Sequence, residues 1–402
     1  MKKRRRIAFN ALVNYVAFVL QLGFSLIQLK ILTNYMSSAE LGLYFFSIGL
    51  SLIATSIAIA GFQPVFIRFI PLYEARGEAD SVARLLGLAI LTYFALGTAF
   101  LVGLELIVPQ IRLTMAMRAV LLFSFMQLLN FAIQGMRKMI HFALFPIAFS
   151  AGFNLSLYLL RHNLTPSLVF FLLAAWAAII IPMQLKVIGV RPRFDRLKEI
   201  FNSIVDFWKY AFANALLYPL ILYADRIIIW QLGRPSDVAI FSIAKKFSDV
   251  GRRGLHVMTH VAAPEISHEH VMGKRSIAKL YQVAFVVLGF LMVIVTVLMG
   301  KWLIVTFSSP EYESSYRYLI VLVIGVAVAG YWETEAITAY SMGRMDISLK
   351  IWVSWTVLYL GLAYCIGKFM GVMGVAIAYT TASFLVTGAV LIRKWVIRGR
   401  PA

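Results

Sequence analysis

The stretch AKKFSDVGRRGLHVMTH (residues 244–260) decides how the rest of the chain is divided into helices. It carries four cations, one carboxylate and two histidines within a chain that is otherwise apolar almost throughout. Three interpretations are open for it: a solvated loop, a metal site, or a charged helix that crosses a membrane.

The composition indicates an integral membrane protein. Of the 402 residues, 61% are hydrophobic and 14% are charged, whereas about a quarter of the residues of a soluble protein are charged. The net charge of +20 falls mostly in short segments between apolar runs, so it indicates membrane orientation and no nucleic-acid partner. Cys365 is the single cysteine, which excludes an intrachain disulfide.

The hydrophobic runs have the length of membrane spans. A bilayer core of roughly 30 Å is crossed by about 20 helical residues, and the sequence offers about twelve such segments. The predicted spans are 8–32, 43–67, 85–108, 117–136, 139–160, 168–189, 209–230, 239–262, 280–305, 316–340, 349–367 and 374–392. The eighth contains the charged stretch.

Charge distribution supports the eighth span. MKKRRR precedes a long apolar segment without a small-residue cleavage site, which predicts a retained first span and a cytoplasmic N-terminus. Basic residues then collect in the segments on that same side, including the C-terminal tail. Without the eighth span, the basic segments of the last third of the chain would lie on the outer side of the membrane, against the positive-inside rule. We therefore predict that residues 244–260 cross the membrane.

Short internal matches predict two similar halves. SVARL (81–85) precedes the third span and SIAKL (276–280) precedes the ninth, at an offset near half the chain length. We expect an all-α fold with an N-terminal six-helix lobe (1–189), a cytoplasmic amphipathic linker (190–208) and a C-terminal six-helix lobe (209–402).

The charges of the eighth span share one side of the predicted helix. At about 100° per residue they fall within about 120° of one another. Such charges are costly in a bilayer and have to face a bundle interior or a water-filled cavity. The predicted cationic cavity lining is Lys245, Lys246, Arg252, Arg253 and His256, and we expect Asp249 to neutralise part of it. A re-entrant loop is the alternative.

Metal and catalytic sites are not supported by the motifs. HVMTH (256–260) places two histidines four residues apart, but a zincin requires glutamate where this chain has Val257. His268 and His270 fall in a predicted cytoplasmic loop. There is no P-loop and no Gly-x-Ser-x-Gly motif, and the predicted outer loops are short. We expect no catalytic residue, no metal and no cofactor.

Polar residues, most of them uncharged, also form one-sided stripes on other predicted spans. For the uncharged stripes, hydrogen bonding between helices is at least as good an explanation as ligand contact. The predicted polar lining is Asn14, Gln21 and Gln28 on the first span, Gln127, Asn130 and Gln134 on the fourth, and Asn214 and Tyr218 on the seventh. Arg68 either joins the cationic lining or reaches the lipid headgroups.

Carboxylates within spans are candidates for charge partners and for ion coupling. They are Asp225 on the seventh span and Glu333 and Glu335 on the tenth. We expect them to couple transport to H⁺ or Na⁺; the sequence does not distinguish the two ions. A cationic cavity lined with amides suits an anionic, hydroxyl-rich ligand, which describes a lipid-diphosphate-linked saccharide better than a cationic drug.

At the level of motifs the chain resembles the bacterial polysaccharide flippases. These are the O-antigen, capsule and teichoic-acid precursor exporters of the multidrug/oligosaccharidyl-lipid/polysaccharide (MOP) superfamily. The resemblance covers nearly the whole chain. It rests on RIAFNALVNYV (6–16), LTNYMSSAELGLYFFSIG (32–49), GFQPVFIRFIPLYEARGEADSVARL (61–85), YADRIIIWQLG (223–233) and MGVMGVAIAYTTAS (370–383).

The resemblance implies two six-helix lobes around a central cavity that opens alternately to each side of the membrane. It implies a flippase that moves an undecaprenyl-diphosphate-linked oligosaccharide across the bacterial cytoplasmic membrane, with both termini in the cytoplasm. Partners would be membrane lipids, this substrate and other polysaccharide assembly proteins. A multidrug exporter of the same superfamily, a membrane polymerase or ligase, and a scaffold subunit are the alternatives.

Overall fold

The structure is a computed structural model that describes residues 2–107, 113–271, 276–341 and 344–398. Side chains are described except at residues 1–11, 14, 101, 104–115, 218, 254–279, 340–343, 345 and 395–402.

Helices make up almost all of the described chain. They are α1 (Lys2–Tyr35), α2 (Ser38–Ile59), α3 (Phe62–Ala75), α4 (Ala79–Ile107), α5 (Leu113–Gly135), α6 (Met139–Leu159), α7 (Pro166–Ile188), α8 (Leu197–Leu232), α9 (Pro235–Val271), α10 (Ser276–Phe307), α11 (Ser315–Ser341) and α12 (Met345–Arg398). Single 3₁₀ turns lie at Arg161–Asn163 and Pro310–Tyr312, and the described residues contain no strand. The predicted all-α fold is confirmed.

Ten helical segments of the described chain are long and apolar enough to cross a membrane. Two differences separate them from the twelve predicted spans. The first is α9, which lacks the apolar composition because of the charges between Lys245 and Arg253, although it packs along two of the ten, α10 and α11. The second is α12, which is one continuous candidate and covers two predicted spans.

The second predicted span is broken. Residues 43–67 were expected as one helix, but α2 ends at Ile59 and α3 begins at Phe62. Ala60 and Gly61 between them have left-handed backbone, with φ of 51° and 69°. The indole Nε1 of Trp208 on α8 donates a hydrogen bond of 2.8 Å to the carbonyl of Ala60. This bond satisfies an acceptor that lipid could not satisfy.

A single glycine interrupts α12. Gly371 has φ of 58° and ψ of −140°. It lies between the predicted spans 349–367 and 374–392, so the chain changes direction where the two spans were separated. Glycine suits the position because a side chain would disfavour this positive φ.

The helices divide into two compact units. The first contains residues 1–40 and 47–223, and the second contains residues 41–46 and 224–402. In the first unit α1 packs against α6, and α5 packs against α3 and α7. In the second unit α11 packs against α9, α10 and α12. The predicted lobe boundaries at residues 189 and 209 stay a prediction.

The predicted linker (190–208) is partly extended and partly helical. Its extended part is held to α4 by a backbone hydrogen bond of 3.0 Å from Arg193 to Ala83 and by ion pairs from Arg84 to Asp195 (3.0 Å) and from Arg193 to Asp80 (2.5 Å). The hydrogen bonds from Arg84 hold the pKa of Asp195 below its ordinary value. The linker becomes helical at residue 197 and continues into α8 without a break.

Candidate functional site

The charged residues of α9 separate into two rows. Lys245 and Arg252 lie seven residues apart and are almost fully buried, with exposed fractions of 1% and 5%. We call them the inner row. Lys246 and Arg253 lie one residue further along; Lys246 is half-buried and Arg253 is exposed. We call these the outer row. Seven residues are close to two helical turns, so each row runs along one side of the helix.

The first inner-row cation is paired with a carboxylate from α8. The ammonium of Lys245 lies 3.2 Å from Oδ2 of Asp225, which has no exposed surface. The same oxygen accepts a hydrogen bond of 3.2 Å from the hydroxyl of Tyr359, and Oδ1 accepts one of 2.8 Å from the backbone N–H of Arg226. The ammonium also lies 4.4 Å from the ring centre of Tyr379. Buried charge requires such compensation.

The second inner-row cation is paired with a carboxylate from α11. A guanidinium nitrogen of Arg252 lies 2.6 Å from Oε1 of Glu333, and both side chains are buried. The guanidinium carbon lies 5.9 Å from the ring centre of Trp352 on α12. Both inner-row cations therefore contact a carboxylate and an aromatic ring, a combination that lowers the cost of burying a cation.

Aromatic rings connect the two ion pairs. Neighbouring ring centres are 4.8 to 5.5 Å apart, which is the range of favourable stacked and edge-to-face contacts. The central ring is Trp355, and its indole N–H donates a hydrogen bond of 3.2 Å to the hydroxyl of Ser383. The rings, which we call the aromatic cluster, are Trp352, Trp332, Trp355, Tyr359 and Tyr379.

The outer row has a different electrostatic environment. Lys246 is repelled by the guanidinium groups of Arg226 and Arg253. Arg226 is buried, and its guanidinium lies 5.6 Å from the ring centre of Phe45. Three cations from α8 and α9 thus share one region of the second unit.

The remaining predicted acidic residues lie at two places. Asp249 is half-buried and lies on α9 between the two rows, three residues after Lys246 and four before Arg253, and its charge also acts on Tyr359 and Tyr379. Oε2 of Glu335 lies 2.5 Å from the ammonium of Lys394 and accepts a hydrogen bond of 2.5 Å from Gln282. Glu335 and Glu333 therefore belong to different clusters.

The predicted residues of the first unit are dispersed. Arg68 on α3 is exposed, with its guanidinium 4.7 Å from the ring centre of Phe207. Asn130 is buried and donates a hydrogen bond of 3.3 Å to the carbonyl of Phe142. The others are half-buried: Gln21, Gln28, Gln127, Gln134 and Asn214. For Asn130, the contact in the structure is therefore a hydrogen bond between two helices, from α5 to α6.

Three predicted site residues have side chains outside the described part of the chain. Asn14 lies in α1, Tyr218 in α8 and His256 in α9. Their predicted roles stay predictions.

Comparison with known proteins identifies the fold. No protein-family model and no curated protein sequence matches the chain. An inward-facing multidrug resistance MATE family transporter of the MOP superfamily is 12% identical with a TM-score of 0.73, and the match covers 98% of this chain and 100% of that one. The lipid II flippase MurJ in an inward closed conformation is 14% identical with a TM-score of 0.71, covering 96% of this chain and 87% of MurJ.

A third structure is a MOP superfamily transporter from Pyrococcus furiosus, in which reverse polarity of the binding pocket suggests a different function. It is 12% identical with a TM-score of 0.69, and the match covers 95% of this chain and 93% of that one. The chain shares the fold of these transporters. At these identities the likeness concerns the fold alone, so the narrower polysaccharide flippase family stays a prediction.

Within this MOP fold, sequence reasoning missed the aromatic cluster and the sorting of α9 into two rows. A signal for the cluster was present, because Trp352, Trp355 and Tyr359 recur at helical spacing. Arg226 directly follows Asp225 in the sequence, and the sequence pattern gives it no role. Its neighbours on α9 follow from tertiary packing, which the sequence pattern does not show.

Proposed function

We propose that the chain is a membrane transporter, without a catalytic step, that moves an undecaprenyl-diphosphate-linked oligosaccharide from the inner to the outer leaflet of the bacterial cytoplasmic membrane. Both termini would lie in the cytoplasm, as the positive-inside pattern favours. The MOP fold supports a transporter. The outer row of α9 is the observation that favours this anionic substrate.

The outer row fits a diphosphate because it concentrates positive charge next to open surface. Lys246 is repelled by two guanidinium groups, and Arg253 is exposed. If α9 crosses the membrane as the sequence predicts, these charges have to meet water or a polar ligand, because contact with lipid tails would be costly. A diphosphate supplies the opposite charge, and arginine binds phosphate oxygens through paired N–H groups.

The inner row receives a different role from the one first predicted. The sequence places Lys245 and Arg252 in the cationic lining that would meet the diphosphate. Lys245 and Arg252 already contact the carboxylates of Asp225 and Glu333. A phosphate that bound them would have to displace a buried carboxylate, so we assign substrate binding to Lys246 and Arg253.

A multidrug exporter is the second candidate function. The aromatic cluster beside two buried carboxylates has the chemistry that would hold an apolar organic cation. Both carboxylates, however, already face a cation of the protein itself. A cationic drug would have to displace Lys245 or Arg252, and this makes the anionic substrate the better fit.

Reconstitution tests the proposal. Purified protein is placed in liposomes that carry a fluorescent undecaprenyl-diphosphate-linked oligosaccharide, and exchange between leaflets is followed with a membrane-impermeant quencher. We expect the wild type to accelerate exchange, and Lys246→Gln/Arg253→Gln to reduce the rate at least tenfold. The control is Lys301→Gln, which alters an exposed lysine paired with Glu313 at 2.8 Å.

The outcomes separate the candidate functions. Leaflet exchange that is equal with and without protein would contradict the flippase. Lengthening of the sugar chain would indicate a polymerase, and uptake of a cationic dye without lipid exchange would indicate the multidrug exporter. Absence of all three activities would leave a scaffold subunit as the better description.

A further inference from the structure

The surroundings of Asp225 have the chemistry of a site for a monovalent cation. Its carboxylate has no exposed surface and is joined by the hydroxyl of Tyr359 at 3.2 Å. Carboxylate and hydroxyl oxygens are ligands for hard cations. The face of the Tyr379 ring, 4.4 Å from the ammonium of Lys245, adds a surface of negative potential.

The ammonium of Lys245 is held in this site by charge. It lies 3.2 Å from Oδ2 of Asp225, yet within the described residues its Nζ forms no hydrogen bond of good geometry. Its other close contact is a ring face, which offers no directed acceptor. Non-directional attraction is also how a bare metal cation is held among oxygen atoms.

Sequence reasoning expected an exchangeable ion, H⁺ or Na⁺, at Asp225. A buried carboxylate does need a positive partner, because an isolated ionised group is costly in an apolar environment. In this chain the partner is covalently attached to α9, and its exposed fraction is 1%.

We propose that Lys245 is a built-in counterion that occupies the place of a monovalent metal cation at Asp225. Na⁺ then does not bind this carboxylate in the native protein, and it binds when the ammonium is removed. The latent site consists of the Asp225 carboxylate, the Tyr359 hydroxyl and the Tyr379 ring. This role of Lys245 concerns ion binding in the second unit and does not depend on which substrate is transported.

The test is thermal unfolding of the purified full-length protein in detergent. Lys245→Met keeps the length of the side chain and removes its charge. Melting is measured in NaCl, KCl and choline chloride at one ionic strength and one pH, so that screening is constant. Lys246→Met on the outer row is the matched control, and Lys245→Met/Asp225→Asn removes the site altogether.

We expect the apparent Tm of Lys245→Met to rise by about 2 °C or more when choline is replaced by Na⁺ or K⁺, since a ligand stabilises the state that binds it. Wild type, Lys246→Met and the double variant should show no such difference. If Lys245→Met is obtained folded only in Na⁺ or K⁺, or the double variant folds where Lys245→Met does not, the counterion role is likewise supported.

Three results would overturn the proposal. The first is an equal Tm of Lys245→Met in all three salts. The second is a Na⁺-dependent shift of the wild type that Asp225→Asn abolishes, because the ammonium would then not fill the site. The third is a Lys245→Met protein that is stabilised by lowering the pH and not by Na⁺ or K⁺, because Asp225 would then accept a proton in place of a metal cation.

Discussion

The two rows of α9 use the same residue types at the same spacing, one residue apart, yet they differ in environment. Lys245 and Arg252 are buried, and each contacts a carboxylate. Lys246 and Arg253 are more open, and Lys246 is repelled by neighbouring guanidinium groups. A rotation of about 100° around the helix therefore separates the cations that are paired with carboxylates from those to which we assign substrate binding.

The comparison shows how a helix that carries these four cations fits among apolar neighbours. Burying an ion pair does not stabilise a protein in itself, because desolvation can exceed the Coulomb attraction. Removing one partner is costly all the same, since it leaves a buried charge behind. The inner row should therefore be sensitive to substitution in stability, and the outer row in function.

The largest expected effect comes from neutralising one residue of the inner row. Arg252→Gln should lower the free energy of unfolding by about 3 kcal/mol, because Glu333 loses its buried guanidinium partner. Arg253→Gln, at the next position, should change it by less than about 0.5 kcal/mol, as surface substitutions usually do. Thermal unfolding in detergent measures both. Equal losses would show that the two rows are energetically equivalent.

The next-largest expected effect is a recovery of stability in a double variant. Arg252→Gln/Glu333→Gln removes both charges, so the double variant should regain about 2 kcal/mol relative to Arg252→Gln alone. The same thermal assay measures the double-mutant cycle. Strictly additive losses would mean that the contact at 2.6 Å carries no coupling, and the assignment of Glu333 as the partner of Arg252 would then fail.

A smaller effect should appear when ionic strength is varied. The Debye length falls from about 10 Å at 0.1 M salt to about 3 Å at 1 M, so an open cationic site weakens and a buried ion pair is screened far less. Lipid exchange in liposomes should slow about threefold over this range, while the Tm changes little. A large drop in Tm together with an unchanged exchange rate would reverse the roles assigned to the two rows.

The smallest effect concerns the ring between the two ion pairs. Trp355 is buried and contacts Trp332, Tyr359 and Tyr379. Trp355→Phe should cost about 1 kcal/mol, because it retains an apolar ring and loses part of the aromatic contact. Trp302→Phe, at an exposed position of α10, is the control and should be neutral. A loss as large as that of Arg252→Gln would mean that the aromatic cluster stabilises the fold as strongly as the buried ion pair.

The positions of the helices were predictable because apolar length and charge placement carry that information. The spans around residues 117–136, 139–160 and 168–189 match α5, α6 and α7 within a few residues. The break at Ala60 was missed, because IAIAGFQPV (57–65) is apolar enough to read as a continuous helix. Gly61 and Pro64 were the local signals, but each is tolerated within membrane helices.

For the candidate site, the sequence predicted only which side of the eighth span carries the charged residues. Helical spacing placed Lys245, Arg252 and Asp249 on one side of the eighth span. The partners of the first two come from positions 225 and 333, and no local pattern links them to α9. Which cation is neutralised depends on how α8, α11 and α12 pack around α9, and a single sequence does not contain that information.

The hydrogen bond from Trp208 to Ala60 has a consequence for the order of assembly. The two residues are 148 positions apart, so the backbone break is synthesised long before the side chain that completes it. At about 5 to 20 residues per second, the carbonyl of Ala60 waits on the order of ten to thirty seconds for its indole donor. During biosynthesis, the hydrogen bond to the bend between α2 and α3 can therefore form only after this part of α8 has been synthesised.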